Sequence, residues 1–195
     1  MTPEVARQFG LRARRQLDPS QRDAASRRIC SRLAATAWFS RARTVALYLA
    51  SSDEADLSAL ILYALRHHKT VAVPKITGTG QMHFVAIDEN TTFATNRYAI
   101  AEPVLLERYA SESQVVTRPD LICAPLSAFD AQFNRTGMGS GYYDRFLSQR
   151  KRHPCTRTIG VGFSCQRVNT IASNEWDVPM DGICTERYFR RLKRD

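Results

Sequence analysis

Apolar residues recur at helical spacing in two parts of the chain. In the first part, Ile29 and Leu33 share one face, and the segment begins at Asp18 with "DPSQ". An aspartate, a proline and a glutamine at this spacing are typical of a helix N-terminus. The second part covers residues 56–68, "DLSALILYALRHH". We predict a helix at each place and a further, arginine-rich helix over residues 4–17.

Short apolar and β-branched runs alternate with these helices. Buried strands are indicated at 44–50 ("TVALYLA"), 70–76 ("TVAVPKI"), 120–126 ("DLICAPL") and 158–163 ("TIGVGF"), and Pro74 is expected to end the second of them. The alternating run "MHFVAI" (82–87) indicates a strand with one face in water. We therefore predict an α/β fold, a three-layer α/β/α arrangement with a mostly parallel, Rossmann-like sheet and an N-terminal helical segment.

The bulk composition favours one ordinary domain spanning residues 1–195. Of the 195 residues, 44% are apolar and 24% charged, which is typical of a globular protein. There is no apolar run of the roughly 20 residues that a membrane helix needs, and the arginine-rich start lacks a hydrophobic signal core. Five cysteines without a C-x-x-C pair predict free thiols in a reducing compartment. We expect a cytoplasmic protein with no membrane partner.

The formal net charge of +9 suits an anionic partner. Nucleic acid and a phosphorylated or polycarboxylate small molecule are both candidates. A solvated basic surface without a partner is an equally simple explanation of the charge.

A glycine-rich loop follows the predicted strand at 120–126. In "FDAQFNRTGMGSGYYDRFL" (129–147), Gly137, Gly139 and Gly141 alternate with other residues, which lets backbone N–H groups approach a phosphate closely. The loop lacks the lysine of a P-loop and the spacing of a dinucleotide fingerprint. Arg135 adds a guanidinium suited to phosphate, and Asp144 is a candidate Mg²⁺ ligand. The alternative is a structural turn in which Asp144 favours the start of the next helix.

Two further segments carry carboxylates at strand or loop ends. In "SSDEAD" (51–56), an aspartate can cap the next helix, whereas Glu54 can accept hydrogen bonds from ligand N–H groups. In "SNEWDVPMD" (173–181), Asp177 can supply a second acid to a metal or belong to a surface turn. From the residues alone, capping and a surface turn are the simpler interpretations.

Several motifs in order resemble those of the 5-formyltetrahydrofolate cyclo-ligase family. The glycine loop is similar to the family's FD-x-x-G-x-R-L-G-x-G-x-G-[YF]-YD signature. The segments "LYLASSDEAD", "VAVPKI", "NRYAIAEP" (96–103) and "IGVGFSCQRVNTIASNEWDVPMD" resemble its other motifs in the same order. The resemblance spans essentially the whole chain.

The resemblance implies a ligase of folate one-carbon metabolism. Members cyclise 5-formyltetrahydrofolate to 5,10-methenyltetrahydrofolate with ATP and Mg²⁺, and ADP and phosphate are released. Phosphorylation of the formyl oxygen makes it a leaving group, and N10 of the folate then closes the ring. Such phosphoryl transfer needs positioning and charge neutralisation more than covalent catalysis.

The resemblance also implies roles for individual residues. Arg135 and Asp144 are the expected catalytic residues, with Asp144 and Asp177 as the Mg²⁺ carboxylates. ATP contacts are expected from Arg7, Arg135, Thr136, Gly137, Met138, Gly139, Ser140, Gly141, Tyr142 and Tyr143. Folate contacts are expected from Leu49, Glu54, Met138, Gly139, Ser140, Gly141 and Tyr142.

Some positions depart from the family pattern. Pro3 and Glu4 stand where many relatives carry Lys or Arg, and Ser140 stands where some carry Lys. Two alternatives therefore stay open: a relative that binds folate or nucleotide without turnover, and a basic nucleic-acid-binding module. The leading interpretation is an active, monomeric enzyme that binds small molecules and no nucleic acid.

Overall fold

A computed structural model describes residues 1–78, 80–96, 98–104, 114–148, 155–172 and 178–192 of the protein. In this part of the chain the helices are α1 (Pro3–Arg15), α2 (Pro19–Ala34), α3 (Ala37–Arg41), α4 (Ser58–Arg66) and α5 (Tyr142–Ser148). The predicted start of α2 is confirmed, because Asp18 Oδ1 accepts the Gln21 N–H at 2.9 Å and the Gln21 side chain accepts the Asp18 N–H at 3.3 Å. The helices predicted over 4–17 and 56–68 correspond to α1 and α4.

The described strands form one large sheet and two small ribbons. The strands are β1 (Thr44–Ala46), β2 (Thr70–Gly78), β3 (Gln81–Ile87), β4 (Phe93–Thr95), β5 (Ala101–Pro103), β6 (Leu121–Pro125), β7 (Ala128–Phe129), β8 (Arg135–Thr136), β9 (Arg157–Val161), β10 (Gly182–Cys184) and β11 (Phe189–Arg191). The large sheet has the order β11-β10-β9-β6-β1-β2-β3, and the ribbons pair β4 with β5 and β7 with β8. Pairs in the middle of the large sheet are parallel, and β3 and β11 join antiparallel at its edges.

The expectation that Pro74 ends its strand is wrong. Strand β2 continues through Pro74 to Gly78, and Pro74 lies opposite Phe84 of β3. Pairing between β1 and β2 stops near Ala72, whose carbonyl accepts the Leu47 N–H at 2.9 Å. Two residues further on, proline's missing N–H faces a side on which β1 has already ended, so no ladder hydrogen bond is lost.

Two apolar layers cover the two faces of the sheet. On one face, Ile29, Leu33 and Leu60 of α2 and α4 pack against Val45 and neighbouring strand residues. On the other face, Leu147 of α5 packs with Phe84, Ile122 and further residues. The three-layer α/β/α arrangement is thus confirmed. Helix α1 lies across one end of the sheet, where Ala6 packs against Ala128.

The strand order places a crevice between β1 and β6. From β1 the chain proceeds outward to β2 in one direction, and from β6 it proceeds to β9 and β10 in the other. The loops that follow β1 and β6 therefore diverge, and in open α/β sheets such a switch point is where ligands bind. These two loops are "SSDEAD" and the glycine loop. No helix among the described residues has the length and apolar character needed to cross a membrane.

Candidate active site

A largely apolar cavity of about 270 Å³ opens at this switch point. Its walls come from the end of β1, the hairpin of β2 and β3, the β4–β5 ribbon and the glycine loop. Leu49, Glu54, Tyr98, Met138 and Tyr142 are among the lining residues. An apolar cavity with a few polar groups is the ordinary form of a site for a flat organic ligand.

Glu54 supplies the buried carboxylate of this cavity. Its loop folds back on itself: the Glu54 N–H donates to the Ser51 carbonyl at 3.1 Å, and Glu54 Oε2 accepts the Ser51 N–H at 3.0 Å. Only 8% of the side chain is exposed. At the start of α4 the backbone bonds to another acid of this loop, because Asp56 Oδ1 accepts the Ser58 N–H at 2.8 Å. Glu54 is therefore free of a capping role.

The glycine loop has the backbone conformation that its sequence requires. Gly139 has φ = +98° and Gly141 has φ = +69°, both in the region that side chains other than glycine rarely adopt. No hydrogen bond within the described residues engages the backbone N–H groups of Met138, Gly139 or Ser140. The loop thus presents backbone donors to whatever lies beside it.

Arg135 and Asp144 form an ion pair at the border of the cavity. Arg135 Nη2 donates to Asp144 Oδ1 at 2.6 Å. The two side chains differ in exposure, with 4% of Arg135 and 63% of Asp144 accessible to solvent. The Arg135 guanidinium also lies 5.8 Å from the centre of the Tyr143 ring. A buried cation and an exposed carboxylate therefore stand side by side under the glycine loop.

A second, more polar cavity of about 420 Å³ lies on the other side of the ion pair. Arg7, Thr136, Arg145 and Ile171 are among the residues that line it, and it shares Arg135, Gly137 and Asp144 with the first cavity. Arg7 reaches across from α1 and donates from Nε to the Gly137 carbonyl at 2.7 Å. Its guanidinium also pairs with Glu4. The two cavities meet at the three shared residues.

The residues shared by the two cavities fit a Mg²⁺ ion whose coordination is completed by oxygens of a bound ligand. Mg²⁺ is usually held by one or two carboxylates together with phosphate oxygens and water, and the exposed Asp144 carboxylate provides one such ligand. Among the described residues there is no group of three or more His, Cys, Asp or Glu side chains placed to hold a metal alone. Asp177, the second predicted ligand, lies outside the described residues.

A family model described as the 5-formyltetrahydrofolate cyclo-ligase family matches residues 3–186. The chain belongs to this family.

Named relatives and a solved structure agree with this membership. The chain is 32% identical to the 5-formyltetrahydrofolate cyclo-ligase of Escherichia coli (strain K12) over 174 residues, which is 88% of this chain and 93% of that protein. It is also 32% identical to a probable 5-formyltetrahydrofolate cyclo-ligase of Caenorhabditis elegans, covering 76% and 75% of the two chains. The NMR structure of Aquifex aeolicus 5,10-methenyltetrahydrofolate synthetase superposes with a TM-score of 0.82 at 29% identity, over 99% of this chain and 94% of that one.

The structure brings together most of the residues singled out from the cyclo-ligase motifs. Around the first cavity lie Leu49, Glu54, Met138, Ser140, Gly141, Tyr142 and Tyr143, and around the second lie Arg7 and Thr136, with Arg135, Gly137 and Asp144 common to both. Gly139 stands in the same loop, next to the Arg7 guanidinium. Their roles toward ATP and folate stay predictions.

Sequence reasoning missed three residues that line the first cavity and one buried residue that lies behind it. Asn96, Tyr98 and Glu102 of the β4–β5 ribbon line the first cavity, although "NRYAIAEP" drew attention only as a family motif. Arg14 lies behind Glu54 and is completely buried. A signal for it exists, since Ala6, Gly10 and Arg14 recur every fourth residue and form the buried face of α1.

Gln166 and the cysteines have structural roles. Gln166 is buried, donates to the carbonyls of Leu126 and Ser127, and accepts the Phe163 N–H, so it ties a 3-10 turn (Ser164–Gln166) to the end of β6. All five cysteines are free. Burial raises the pKa of Cys30 to about 11 and that of Cys184 to about 12, so neither thiol is poised as a nucleophile.

Proposed function

We propose that this protein catalyses the ATP- and Mg²⁺-dependent cyclisation of 5-formyltetrahydrofolate to 5,10-methenyltetrahydrofolate, with release of ADP and phosphate. The observation that carries the proposal is the meeting of two cavities of different character at Arg135, Gly137 and Asp144. The first cavity suits the flat, apolar pterin and its polar edge. The second cavity, lined by Arg7, Arg135 and Arg145, suits a nucleoside triphosphate.

The chemistry of the formyl group explains why the two cavities need to meet. A formamide carbon is a poor electrophile and its oxygen a poor leaving group. In the proposed reaction, the γ-phosphoryl group moves from ATP to the formyl oxygen, and ADP departs. The N10 lone pair then attacks the formyl carbon, the C–O bond breaks, phosphate leaves, and N10 loses its proton. Both substrates must therefore be held with the formyl oxygen close to the γ-phosphorus of ATP.

The chain's own groups are suited to this positioning. The buried Arg135 guanidinium and the backbone N–H groups of the glycine loop are placed to neutralise charge on the transferring phosphoryl group. Glu54 is placed to accept hydrogen bonds from the pterin N–H groups in the first cavity. Leu49, Met138 and Tyr142 supply apolar surface beside it. Arg7 holds the loop through Gly137 and carries charge into the second cavity.

A bound magnesium ion would neutralise phosphate oxygens and orient the γ-phosphoryl group. Asp144 is the described residue that would hold it, with Asp177 as the proposed second carboxylate. In this structure the Asp144 carboxylate is paired with Arg135. Binding of the metal–nucleotide complex would exchange this pair for contacts to metal and phosphate.

One assay tests the proposed function. Purified protein is mixed with 5-formyltetrahydrofolate, ATP and Mg²⁺, and the near-ultraviolet absorbance band of the methenyl product is followed while released phosphate is measured. We expect one phosphate per methenyl product, with neither formed when folate or ATP is left out. A correctly folded protein that forms no product would overturn the proposal and favour a binding protein without turnover.

A further inference from the structure

A buried arginine outside both cavities contacts the folate side of the site. The side chain of Arg14 is 1% exposed, and it projects from α1 toward the loop that follows β1. Its Nη2 lies 2.8 Å from Asp53 Oδ1, and its Nη1 lies 3.5 Å from Glu54 Oε1. Nη2 also lies 3.7 Å from the Met138 sulfur. One guanidinium thus contacts two carboxylates and the glycine loop.

The burial of Arg14 is balanced by charge but not by a full set of hydrogen bonds. Its Nε atom is buried and has no partner among the described residues. A buried guanidinium without a carboxylate would cost several kcal/mol. Arg14 therefore needs a carboxylate partner in order to be buried. The side chain is too deeply placed to touch a ligand, and its effect must pass through the groups that it contacts.

We propose that Arg14 is a positioning residue that holds the Glu54 carboxylate in the orientation that folate binding needs. This inference rests on the proposed function, since it takes the pterin as the ligand of Glu54. Glu54 Oε2 is already fixed by the Ser51 N–H, whereas Oε1 faces Arg14. The guanidinium therefore sets the orientation of the second carboxylate oxygen.

The other groups around Glu54 cannot replace that positive charge. The facing titratable and charged groups come from several elements and are Arg14, Asp53, Tyr48, Tyr143 and, beyond Tyr143, Arg135. Burial and the charge of Glu54 raise the pKa of both tyrosine hydroxyls above the usual value, so both stay neutral. Arg135 is engaged with Asp144. Asp53 adds a second negative charge next to Glu54.

Arg14 also contacts Asp53, so its effect on Glu54 has to be distinguished from its effect on Asp53. The other partners of Asp53 make this distinction. Burial would raise the pKa of Asp53, but the hydrogen bond and charge of Arg14 and the hydrogen bond of Arg15 outweigh burial and lower it. Asp53 thus has two arginine partners. In the described residues Glu54 contacts Arg14 alone among cations. Loss of Arg14 should therefore affect Glu54 more than Asp53.

The test compares folate binding by four variants at neutral pH. Arg14→Met removes the charge, Arg14→Lys restores it, Arg15→Gln is the matched control from the neighbouring arginine, and Asp53→Asn keeps an acceptor for Arg14 while it removes the competing charge. The dissociation constant of 5-formyltetrahydrofolate is measured without ATP, together with KM for each substrate. Thermal melts establish that each variant is folded.

Arg14→Met should bind folate roughly tenfold or more weakly than wild type at neutral pH. KM for ATP should change little, Arg14→Lys should recover most of the affinity, and Arg15→Gln and Asp53→Asn should resemble wild type. If wild type binds folate and Arg14→Met keeps its affinity, the inference is wrong. If Arg14→Met does not fold, Asp53→Asn decides, because a loss of folate affinity there would show that Arg14 acts through Asp53. Failure of wild type itself to bind folate would instead contradict the proposed function.

Discussion

Contacts within the protein fix the Glu54 carboxylate. The Ser51 N–H fixes one oxygen, and the Arg14 guanidinium faces the other. Such preorganisation reduces the entropy that ligand binding must overcome. We therefore expect Glu54 to bind its ligand through its charge and not only through its shape.

Glu54→Gln tests that charge directly. The variant keeps the size of the side chain but replaces an ionised acceptor by a neutral amide, so we expect a folate dissociation constant about ten- to a hundredfold higher, with little change in KM for ATP. Asp56→Asn is the control from the same loop, because Asp56 accepts the Ser58 N–H and does not line either cavity. Equal folate affinity in Glu54→Gln and wild type would remove Glu54 from the site.

Asp144→Asn tests the border between the two cavities. The variant loses the proposed metal carboxylate, but its amide oxygen can still accept a hydrogen bond from the buried Arg135 guanidinium, and a thermal melt establishes that the variant is folded. We expect kcat to fall by about a hundredfold or more, and Mg²⁺ should no longer strengthen ATP binding in calorimetry. Asp23→Asn is a suitable control, since Asp23 is an exposed acid of α2 that pairs with Arg27. Mg²⁺-enhanced ATP binding that survives in Asp144→Asn would contradict the assignment.

Single residues show where prediction from the sequence succeeds and where it fails. The positive φ angles of Gly139 and Gly141 agree with what their residue type and spacing indicate, whereas the role of Asp144 toward a metal stays a prediction. Arg14 was indistinguishable by type from Arg12 and Arg15, and only the phase of the helix separates a buried arginine from exposed ones. Asp177 was predicted as a metal ligand and lies outside the described residues, so it stays a prediction.

Among the elements, helix α1 contacts both the glycine loop and the loop that carries Glu54. It carries Arg7 to the glycine loop and Arg14 to the Glu54 loop. Its close approach depends on Gly10, where an added Cβ would lie 1.9 Å from the Ser127 carbonyl oxygen. The helix thus rests directly on the backbone that links β6 to β7.

Gly10→Ala should therefore disturb both binding sites from a distance. Since a backbone carbonyl cannot yield as a side chain can, α1 must shift, and we expect a loss of about 1–3 kcal/mol in the free energy of unfolding. Affinity for both ATP and folate should fall together. Gly78→Ala is the matched control, because its Cβ would meet only the flexible Gln81 side chain at 3.4 Å. Chemical denaturation and calorimetry provide the measurements, and a Gly10→Ala protein as stable as wild type would contradict this description of α1.

Elements differed in how well the sequence predicted them. Amphipathic helices and buried strands were found because burial on one or both faces leaves a periodic pattern. The short ribbons β4–β5 and β7–β8 have two or three residues per strand, which is too few for a period to be visible. The error at Pro74 had another cause, since a missing N–H matters only where a neighbouring strand is present.

For the whole molecule, the burial of two thiols predicts that the free energy of unfolding decreases at alkaline pH. Desolvation raises the pKa of Cys30 to about 11 and of Cys184 to about 12, from an ordinary value of 9.0. In the unfolded chain these thiols lose their protons near the ordinary value, whereas in the folded protein they keep them. The stabilisation is complete below about pH 9 and is lost as the pH rises toward the folded values.

Urea denaturation at several pH values measures this effect. We expect the free energy of unfolding to decrease from about pH 9 to about pH 11, with a shallower decrease in Cys30→Ala. A free energy of unfolding that does not change over this range would show that these thiols are not desolvated as described.

The charge of the whole molecule was less informative than its topology. A net charge of +9 left nucleic acid and phosphorylated small molecules equally open. The strand order says more about where a ligand binds, because it brings the "SSDEAD" loop and the glycine loop to one switch point. That convergence depends on long-range strand pairing, which is not visible in a local pattern.

The central claim is that ATP and the formyl oxygen meet at the shared border of the two cavities. The most direct measurement uses 5-formyltetrahydrofolate labelled with ¹⁸O in the formyl group and determines the isotopic composition of the released phosphate by mass spectrometry. If the γ-phosphoryl group is transferred to the formyl oxygen, each phosphate released should carry one ¹⁸O atom, and labelled folate incubated without ATP should keep its label. Methenyl product accompanied by unlabelled phosphate would contradict the account.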